Sequence, residues 1–279
     1  MPPQHERGAG SRRAGFPARR RWGQNFLASS DVAERIVAAA RVGRGDVVLE
    51  IGPGEGALTR PLARTGARVV AVEIDPWRSR ALETEFAEAR GVSILQGDVL
   101  ARSFSEWLSV AGASGGAVLV ANLPYNVATP ILTAALDDPG TIRRSVATVQ
   151  REVARRFIAR PGEEGYGYLS LRAAARASGR ILFDLPPGAF RPRPRVHSSV
   201  LELVPRPDPP EPELARRALG LASLGFRARR KTLPNALLPA GPRAAWEAAL
   251  VALGKDPRAR AEELSLEDFL ALARLGPSA

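Results

Sequence analysis

Residues 46–56, DVVLEIGPGEG, place a short apolar run immediately before three closely spaced glycines. Residues 47–49 suit a buried strand, and Gly52, Gly54 and Gly56 suit a turn that leads from it into a helix. Glycines in such a turn let a ligand approach the backbone and let the helix pack closely against the strand. The segment therefore predicts a strand, a turn and a helix with a ligand at the turn; a tight turn that binds nothing is the alternative.

Four more short apolar runs are separated by helix-like segments; they are residues 68–72, 92–95, 117–121 and 145–149. Asp75-Pro76 and Thr129-Pro130 are each typical of an N-cap followed by proline at the first helical position. Strands that alternate with helices predict an α/β fold with a Rossmann-like, doubly wound, mostly parallel sheet. Residues 183–204 contain prolines and then an apolar–polar alternation, which predicts a late antiparallel strand pair at the sheet edge.

The composition divides the chain into three regions. Residues 1–22 contain six arginines and one glutamate with no apolar periodicity, which predicts a disordered basic arm. Residues 23–204 form the α/β domain. Five prolines within residues 205–212 indicate a stiff linker. The short amphipathic patterns after the linker predict a smaller, all-helical C-terminal domain, and linker and helices together span residues 205–279.

Composition also excludes several kinds of chemistry. The 279 residues include no cysteine, so disulfides, thiolate catalysis and cysteine-ligated zinc are excluded, and with two histidines a histidine metal cluster is not expected. The longest apolar run, residues 248–253, is too short to span a membrane. We predict a cytoplasmic protein that uses neither a metal nor a membrane. The net charge of +11 favours a nucleic-acid partner.

Two acidic residues lie at the predicted ends of the second and third strands. Glu73 can accept hydrogen bonds from both ribose hydroxyls of an adenosine ligand. Asp98 can accept a hydrogen bond from an adenine amine, and capping of a helix is its alternative role. Because parallel strands end at one edge of the sheet, both acids and the glycine turn should border a single crevice. They predict a site for an adenosine-containing ligand.

The segment Asn122-Leu123-Pro124-Tyr125 follows the fourth of these five runs, residues 117–121. An exocyclic amine is a poor nucleophile because its lone pair is delocalised into the purine ring. The amide oxygen of Asn122 and the carbonyl of Leu123 or Pro124 can accept its two N–H groups and aim the lone pair at a methyl donor. Tyr125 can stack on an extruded base, a contact worth about 1–3 kcal/mol. The segment predicts methyl transfer to an exocyclic amine; an ordinary turn is the alternative.

The α/β region contains four motifs in this order: residues 24–27 (QNFL), 50–56 (EIGPGEG), 122–125 (NLPY) and 190–198 (FRPRPRVHS). Together they closely resemble the motifs of the ribosomal RNA adenine N6-dimethyltransferases. Three further segments resemble the branch of that family that modifies small-subunit (16S) rRNA; they are residues 165–167 (GYG), 169–170 (LS) and 226–233 (FRARRKTL). The resemblance covers about residues 21–275.

The resemblance implies an S-adenosylmethionine-dependent enzyme that adds four methyl groups to two adjacent adenosines in the 3′-terminal hairpin of small-subunit rRNA. Residues 23–204 would then be the donor-binding methyltransferase domain, and the C-terminal helices an rRNA-binding domain. The residues implied to bind the donor are Asn25, Leu27, Gly52, Gly54, Glu73, Ile74, Asp98 and Asn122. The residues implied to hold the target adenine are Asn122, Leu123, Pro124, Tyr125 and Phe190. Phe190 would be a second stacking ring opposite Tyr125; a buried core phenylalanine is the alternative.

Basic residues in two of these segments are the expected contacts to rRNA: Arg191, Arg193, Arg195, Arg227, Arg229, Arg230 and Lys231. The first three alternate along the chain, so on an extended segment they would face one way. Any one of them can instead be a solvated surface charge. As a set they suit phosphate contacts, which hold an RNA hairpin by shape and charge. We expect a monomer that acts on rRNA within an immature 30S subunit.

Three alternative functions fit part of this pattern. A macrolide-resistance-type methylase of large-subunit rRNA shares the donor motifs and the Phe-x-Pro-x-Pro segment, but residues 229–233 (RRKTL) favour the small-subunit branch. A non-catalytic ribosome-assembly or transcription factor can retain the fold, but an intact set of site residues indicates retained chemistry; the set is Gly52, Glu73, Asp98 and Asn122. A nicotinamide dehydrogenase is disfavoured because the spacing is G-x-G-x-G and not G-x-G-x-x-G.

Overall fold

The computed structural model describes residues 25–277, and the basic arm predicted for residues 1–22 lies outside the described residues. The strands are β1 (Phe26–Leu27), β2 (Val47–Ile51), β3 (Arg68–Glu73), β4 (Val92–Gln96), β5 (Ala117–Asn122), β6 (Ile142–Gln150), β7 (Ala177–Leu185), β8 (Phe190–Arg191) and β9 (Ser198–Pro205). The α-helices are α1 (Ser30–Ala40), α2 (Thr59–Arg64), α3 (Pro76–Glu85), α4 (Phe104–Val110), α5 (Ala128–Asp137), α6 (Arg151–Ile158), α7 (Tyr168–Ala174), α8 (Pro212–Arg227), α9 (Leu233–Ala236), α10 (Arg243–Ala252) and α11 (Leu266–Leu275).

The main sheet has seven strands in the order β4-β3-β2-β5-β6-β9-β7. The five strands from β4 to β6 are parallel, and β9 is antiparallel to both of its neighbours. Strands β2, β3 and β5 are apolar and almost wholly buried, since helices cover both faces of the sheet. The predicted doubly wound, mostly parallel sheet is confirmed. From β2 to β4 each new strand is added on one side of β2, and β5 and β6 are then added on its other side. The order of the strands therefore reverses between β2 and β5, and folds of this type bind ligands at that point.

The late antiparallel pair is confirmed, with a more extensive first strand than the sequence indicated. β7 begins at Ala177 and forms the sheet edge, and β9 inserts between it and β6. A second, two-stranded sheet joins β1 to β8, where Phe26 pairs with Arg191 and Leu27 with Phe190. This small ribbon holds the QNFL motif beside the proline-rich motif that starts at Phe190.

One of the two predicted helix starts is correct. Asp75 caps α3 by accepting a hydrogen bond from Trp77 N, and Pro76 is the first helical residue. The prediction for Thr129-Pro130 is wrong, because α5 begins at Ala128. A turn closed by the hydrogen bond from Val127 N to Pro124 O runs directly into that helix. Proline at its third position is tolerated because the first-turn N–H groups have no helical acceptor.

The C-terminal helices α8 to α11 pack around their own apolar core. Trp246 and Phe269 are among its fully buried side chains. Tyr166 and Leu171, which precede the linker, belong to the same cluster, and Tyr166 donates a hydrogen bond to Leu264 O at 2.6 Å. The helical region is therefore packed onto the α/β region. Within residues 25–277, no helix combines the length and apolar character needed to cross a bilayer.

Candidate active site

The turn after β2 is held in shape by the buried carboxylate of Glu73. Gly54 N donates to Glu73 Oε2 and Asp75 N donates to Oε1, each at 2.9 Å. Gly52 and Gly54 have φ angles of 67° and 59°, in the left-handed region that favours glycine. Burial raises the pKa of Glu73, and the two N–H donors oppose that rise. Each carboxylate oxygen can accept a further hydrogen bond from a ligand.

Phe26, in the QNFL motif, packs directly on this turn. A Cβ at Gly54 would lie 2.9 Å from Phe26 Cε1, so a larger residue would displace the ring. The guanidinium carbon of Arg78 lies 4.7 Å from the centre of the Phe26 ring, and Arg78 Nη1 lies 2.8 Å from Asp75 Oδ2. Phe26 therefore joins the start of the described chain to the β2 turn and to α3. Its two neighbours in the motif were predicted as donor residues, whereas Phe26 itself was not.

Two adjoining cavities open where the parallel strands end. The larger, about 440 Å³, is lined by residues that include Phe26, Leu27, Glu50, Gly52, Gly54 and Asn122. The smaller, about 100 Å³, is lined by residues that include Asn25, Gly54, Glu73, Ile74, Asn122 and Pro124. Asn122 stands in the wall of both cavities. The structure thus brings together the predicted donor residues Asn25, Leu27, Gly52, Gly54, Glu73, Ile74 and Asn122.

Asn122 is the last residue of β5, and its side chain is oriented by one hydrogen bond. Nδ2 donates to the backbone oxygen of Asn25 at 2.8 Å. That bond turns Oδ1 away from Asn25, and no residue in the described range 25–277 donates to Oδ1. The site therefore holds a neutral amide oxygen that is free to accept an N–H from a ligand.

The two candidate backbone acceptors next to Asn122 differ. Pro124 O already accepts the 3.1 Å hydrogen bond from Val127 N. Leu123 N donates to Thr148 O at 3.1 Å, while Leu123 O accepts no hydrogen bond from residues 25–277. The sequence left the choice between Leu123 and Pro124 open, and these hydrogen bonds favour the Leu123 carbonyl.

Tyr125 is tied to the strand β9 through its hydroxyl group. Its oxygen lies 2.7 Å from Ser198 Oγ, and Ser198 is fully buried. Burial raises the pKa of the half-buried Tyr125, and the hydrogen bond to Ser198 opposes that rise. The bond fixes the far end of the ring relative to the motif that contains Phe190.

Phe190 does not have the surroundings of a stacking ring. It is 2% exposed and belongs to a core cluster with Ile36, Leu185 and Val200. Pairing of β8 with β1 turns its side chain into this core, so in this structure a base cannot reach the ring. In this structure Phe190 therefore has the surroundings of the alternative, a buried core phenylalanine, and its role as a second stacking face stays a prediction.

Asp98 lies near the expected sheet edge, two residues beyond Gln96, which pairs with Glu73. Its side chain accepts a hydrogen bond from Leu100 N at 3.0 Å and caps a short helical turn. Asp98 is exposed and does not line either of the two cavities. Its role at an adenine amine stays a prediction.

Glu50 is a site residue that sequence reasoning did not single out. It is 1% exposed and lines the larger cavity, and no residue of the described range donates to its Oε2. Burial, and to a lesser degree the charge of Glu73, raises the pKa of Glu50 to about 8. The available signal was an acid that interrupts the apolar run of β2, a position where burial is expected.

The predicted RNA-contacting residues lie on the surface in two separate places. Arg191, Arg193 and Arg195 are exposed, and residues 192–197 contain bends, so the expectation of an extended segment is wrong. The bends follow from the two prolines of the segment, which restrict the backbone. The second group begins at Arg227, the last residue of α8, and is also exposed; it comprises Arg227, Arg229, Arg230 and Lys231.

The described side chains do not form a metal site. In the part of the chain that the structure describes, no three acidic or histidine side chains are grouped so that they could hold a metal ion.

Comparisons with known proteins identify the family of the chain. The sequence model of the family described as ribosomal RNA adenine dimethylase matches residues 15–275. Two relatives, each named ribosomal RNA small subunit methyltransferase A, come from Phenylobacterium zucineum and Methylococcus capsulatus. The first is 42% identical over 93% of this chain and 88% of the relative. The second is 40% identical over 92% of this chain and 96% of the relative.

Solved structures give the same result for the fold. The crystal structure of the 23S rRNA methyltransferase ErmE aligns with this protein with a TM-score of 0.71 and 27% sequence identity. The alignment covers 90% of this chain and 98% of the ErmE chain. The crystal structure of a dimethyladenosine transferase from Plasmodium falciparum aligns with a TM-score of 0.73 and 22% sequence identity. That alignment covers 88% of this chain and 95% of the transferase chain. With the family model matching nearly the whole chain, this protein belongs to the ribosomal RNA adenine dimethylase family and is an S-adenosylmethionine-dependent methyltransferase.

Proposed function

We propose that this protein dimethylates N6 of two adjacent adenosines in the 3′-terminal hairpin of small-subunit rRNA, with S-adenosylmethionine as the donor. The observation that carries the proposal is the position of Asn122, whose free amide oxygen stands in the wall of both cavities. Relatives named for the small subunit are 40–42% identical, against 27% for the structure named for 23S rRNA. This difference favours the small-subunit substrate over the large-subunit alternative.

The cavity residues fit the donor. The buried Oε2 of Glu50 has no hydrogen-bond donor among residues 25–277, and it suits the ammonium group of the methionine portion. Gly52 and Gly54 leave the backbone open to close approach, and Glu73 retains acceptor capacity for ribose hydroxyls. The residues proposed to hold the donor are Asn25, Leu27, Glu50, Gly52, Gly54, Glu73, Ile74, Asp98 and Asn122. When bound, the donor supplies a methyl group already activated on a sulfonium.

The protein's own residues then prepare the acceptor nitrogen. Asn122 Oδ1 and Leu123 O accept the two N–H groups of the adenine amine, which favours a pyramidal nitrogen with a directed lone pair. Both acceptors are neutral, so neither takes a full proton from the amine. The nitrogen gains the methyl group as the sulfur–carbon bond of the donor breaks, and the proton that it then loses passes to water. The turn that Pro124 O and Val127 N close keeps the two oxygens in fixed relation. Catalysis is thus mainly positioning, and no strong base is required.

The base itself is proposed to stack on Tyr125. The hydroxyl bond to Ser198 holds that ring in place before the base arrives, so less side-chain freedom is lost on binding. For the opposite face of the base we propose Phe190, whose side chain is 2% exposed in this structure and must leave its core cluster to make that contact.

The exposed arginines are proposed to bind phosphates, with the set that follows α8 on one part of the hairpin and Arg191, Arg193 and Arg195 on another. Such contacts recognise shape and charge and carry little sequence information. We therefore propose that the substrate is rRNA within an immature 30S particle, that the enzyme acts as a monomer, and that it works in the cytoplasm where these particles are assembled.

The test is methylation of undermethylated small subunits with radiolabelled donor, followed by mapping of the modified adenosines by primer extension. We expect label in the small-subunit rRNA at two adjacent adenosines. Label in large-subunit rRNA would support the macrolide-resistance alternative, and RNA binding without any label would support the non-catalytic one. Naked rRNA serves as the comparison substrate; if it is methylated as fast as the particles, the proposed particle substrate is wrong.

A further inference from the structure

A basic groove beside the active site contains Arg195, proposed above as a phosphate contact, together with residues of α6 that have no role in that proposal. The groove, which we name the α6 groove, has a volume of about 560 Å³ and is lined by residues that include Gln150, Arg151, Arg155, Glu164, Arg195 and His197. We propose that the α6 groove binds the nucleotide next to the adenosine under methylation, with Arg155 and Arg195 at its phosphate. The inference rests on the proposed function, because it assumes an RNA strand at Asn122.

The groove is connected to the catalytic loop through the ends of three neighbouring strands. Asn122 at the end of β5 pairs with Thr148, and Gln150 at the end of β6 pairs with Ser198. Ser198 Oγ in turn lies 2.7 Å from the hydroxyl of Tyr125. Gln150 therefore lines the groove directly behind the residue that holds the proposed stacking ring. A strand that places one base on Tyr125 can therefore continue into the groove.

The arginines of the groove are not engaged elsewhere. No acidic residue within residues 25–277 forms an ion pair with Arg151, Arg155 or Arg195, although many other arginines of the chain are paired. Arg41 and Arg180, for example, both pair with Glu202, at 2.8 and 2.6 Å. Arg155 and Arg195 are also exposed. Unpaired guanidinium groups around one groove favour a polyanion, and arginine suits phosphate in particular.

The acidic residues of the α6 groove restrict the class of ligand that it can bind. Glu152 and Glu164 line it together with the arginines. A free phosphate would be repelled by them, whereas a nucleotide also carries ribose hydroxyls and base amino groups that donate to carboxylates. The mixture of charges thus fits a ribonucleotide better than an isolated anion. The volume lies in the usual range for a small-ligand pocket.

A second depression continues from the α6 groove and shares Arg155 and Glu164 with it. It runs along α6 to the edge strand β7, where Gly179 and Ile181 line it. This gives the RNA strand a direction in which to leave the site. The α6 groove would then hold the neighbour of the target base, and later nucleotides would follow α6 towards β7.

The experiment compares Arg155→Ala and Arg195→Ala with Arg90→Ala, an exposed arginine at the opposite, N-terminal edge of the strands. Each is assayed on undermethylated small subunits for kcat/KM and for affinity for S-adenosylhomocysteine, with the thermal midpoint as the folding control. We expect each groove variant to lose about tenfold in kcat/KM, the size of one charge-assisted contact. Donor affinity should stay within twofold, and Arg90→Ala should behave as wild type.

A binding assay then locates the contact. Labelled hairpins with two adjacent adenosines are prepared in ordinary form and with a neutral methylphosphonate at one phosphate flanking either adenosine. We expect each groove variant to bind the ordinary hairpin with about tenfold lower affinity than wild type. On one of the neutral hairpins the loss of affinity should be less than about twofold, since the phosphate charge that the arginine would contact is already absent. Equal losses on all hairpins, or no loss beyond that of Arg90→Ala, would overturn the inference. Absence of label in small subunits with the wild-type enzyme would instead refute the proposed function.

Discussion

Glu50 is a buried acid whose ionised form is disfavoured by its surroundings. Its folded-state pKa of about 8 lies above its ordinary value of 4.5, so between these pH values the folded protein holds a proton that the unfolded chain has released. The stability that this proton contributes is complete below pH 4.5 and is lost as the pH rises towards 8. The apolar environment, and not a partner charge, is the main cause.

Glu50→Gln should therefore be more stable than wild type in the donor-free protein, by a margin that grows with pH. The expected growth is at most about 1.4 kcal/mol per pH unit between pH 5 and 7, since the amide has no proton to lose. Denaturant unfolding at several pH values measures it. Glu55→Gln is the matched control, because Glu55 lines the same cavity but is exposed. A constant difference across this range would show that Glu50 is ionised when folded.

The same residue links donor binding to pH. If the Glu50 carboxylate accepts the donor's ammonium group, binding must release the proton of Glu50 below pH 8. We expect the affinity for S-adenosylhomocysteine to rise by up to about tenfold per pH unit from pH 6 to 8. Calorimetry should give weaker, pH-independent binding for Glu50→Gln. An unchanged pH dependence in that variant would assign the linkage to another group.

Asn122 is expected to separate donor binding from chemistry. Asn122→Ala removes the amide oxygen at the acceptor nitrogen and should lower single-turnover methylation by about 10²–10³-fold, as for other positioned transition-state contacts. It also removes the hydrogen bond to Asn25 O, so donor affinity should fall only by about fivefold. Calorimetry with S-adenosylhomocysteine measures the second effect. Full turnover in the variant would exclude the amide from the reaction.

At the scale of elements, the sequence predicted the strands and the edge at which the site lies. Buried parallel strands leave strong apolar runs, and their order along the chain fixes which ends meet. The start of α5 was missed because a non-helical turn at Pro124 continues into the helix without the usual N-cap. The burial of Phe190 could not be predicted for a different reason: pairing of β8 with β1 decides which way its side chain points, and no local pattern contains that information.

The contact between the β5 loop and β9 could not be predicted either, since Tyr125 and Ser198 are 73 positions apart in the chain. Ser198→Ala removes the bond that holds the Tyr125 ring and leaves a phenol group in a partly buried site. We expect the KM for small subunits to rise about three- to tenfold, from a loss near 1 kcal/mol, with donor affinity unchanged.

Tyr125→Phe supplies the control for this contact. It keeps the ring but removes the hydroxyl, so the double variant Tyr125→Phe, Ser198→Ala should be no worse than either single variant. Additive losses in this cycle would mean that Ser198 acts by another route. Ser198→Thr, which keeps the hydroxyl, should retain the coupling if the extra methyl group fits.

At the scale of the whole molecule, we expect the methyl donor and the RNA to be bound by different features of the protein. The donor cavities lie at the ends of the parallel strands and are lined by β1, the turn after β2, α3 and the β5 loop. The excess positive charge lies instead on exposed arginines around the site and at the end of α8, and on the arginines that the sequence contains in residues 1–22. Changes in charge far from the cavities should therefore alter RNA affinity and its salt dependence while leaving donor affinity as it is.

Deleting residues 1–20 tests this separation, because it removes five arginines and one glutamate and lowers the net charge from +11 to +7. For every phosphate that these arginines neutralise, the deletion should reduce the slope of log affinity against log salt concentration by about 0.7–0.9. We therefore expect the deletion variant to bind RNA more weakly than wild type at low salt, and the two affinities to converge at high salt. Substituting the five arginines with glutamine in the full-length chain separates charge from length. We expect donor affinity to be unchanged in both variants, since residues 25–277 alone supply a lining for both donor cavities. Loss of donor binding on deletion would mean that the arm contributes to that site.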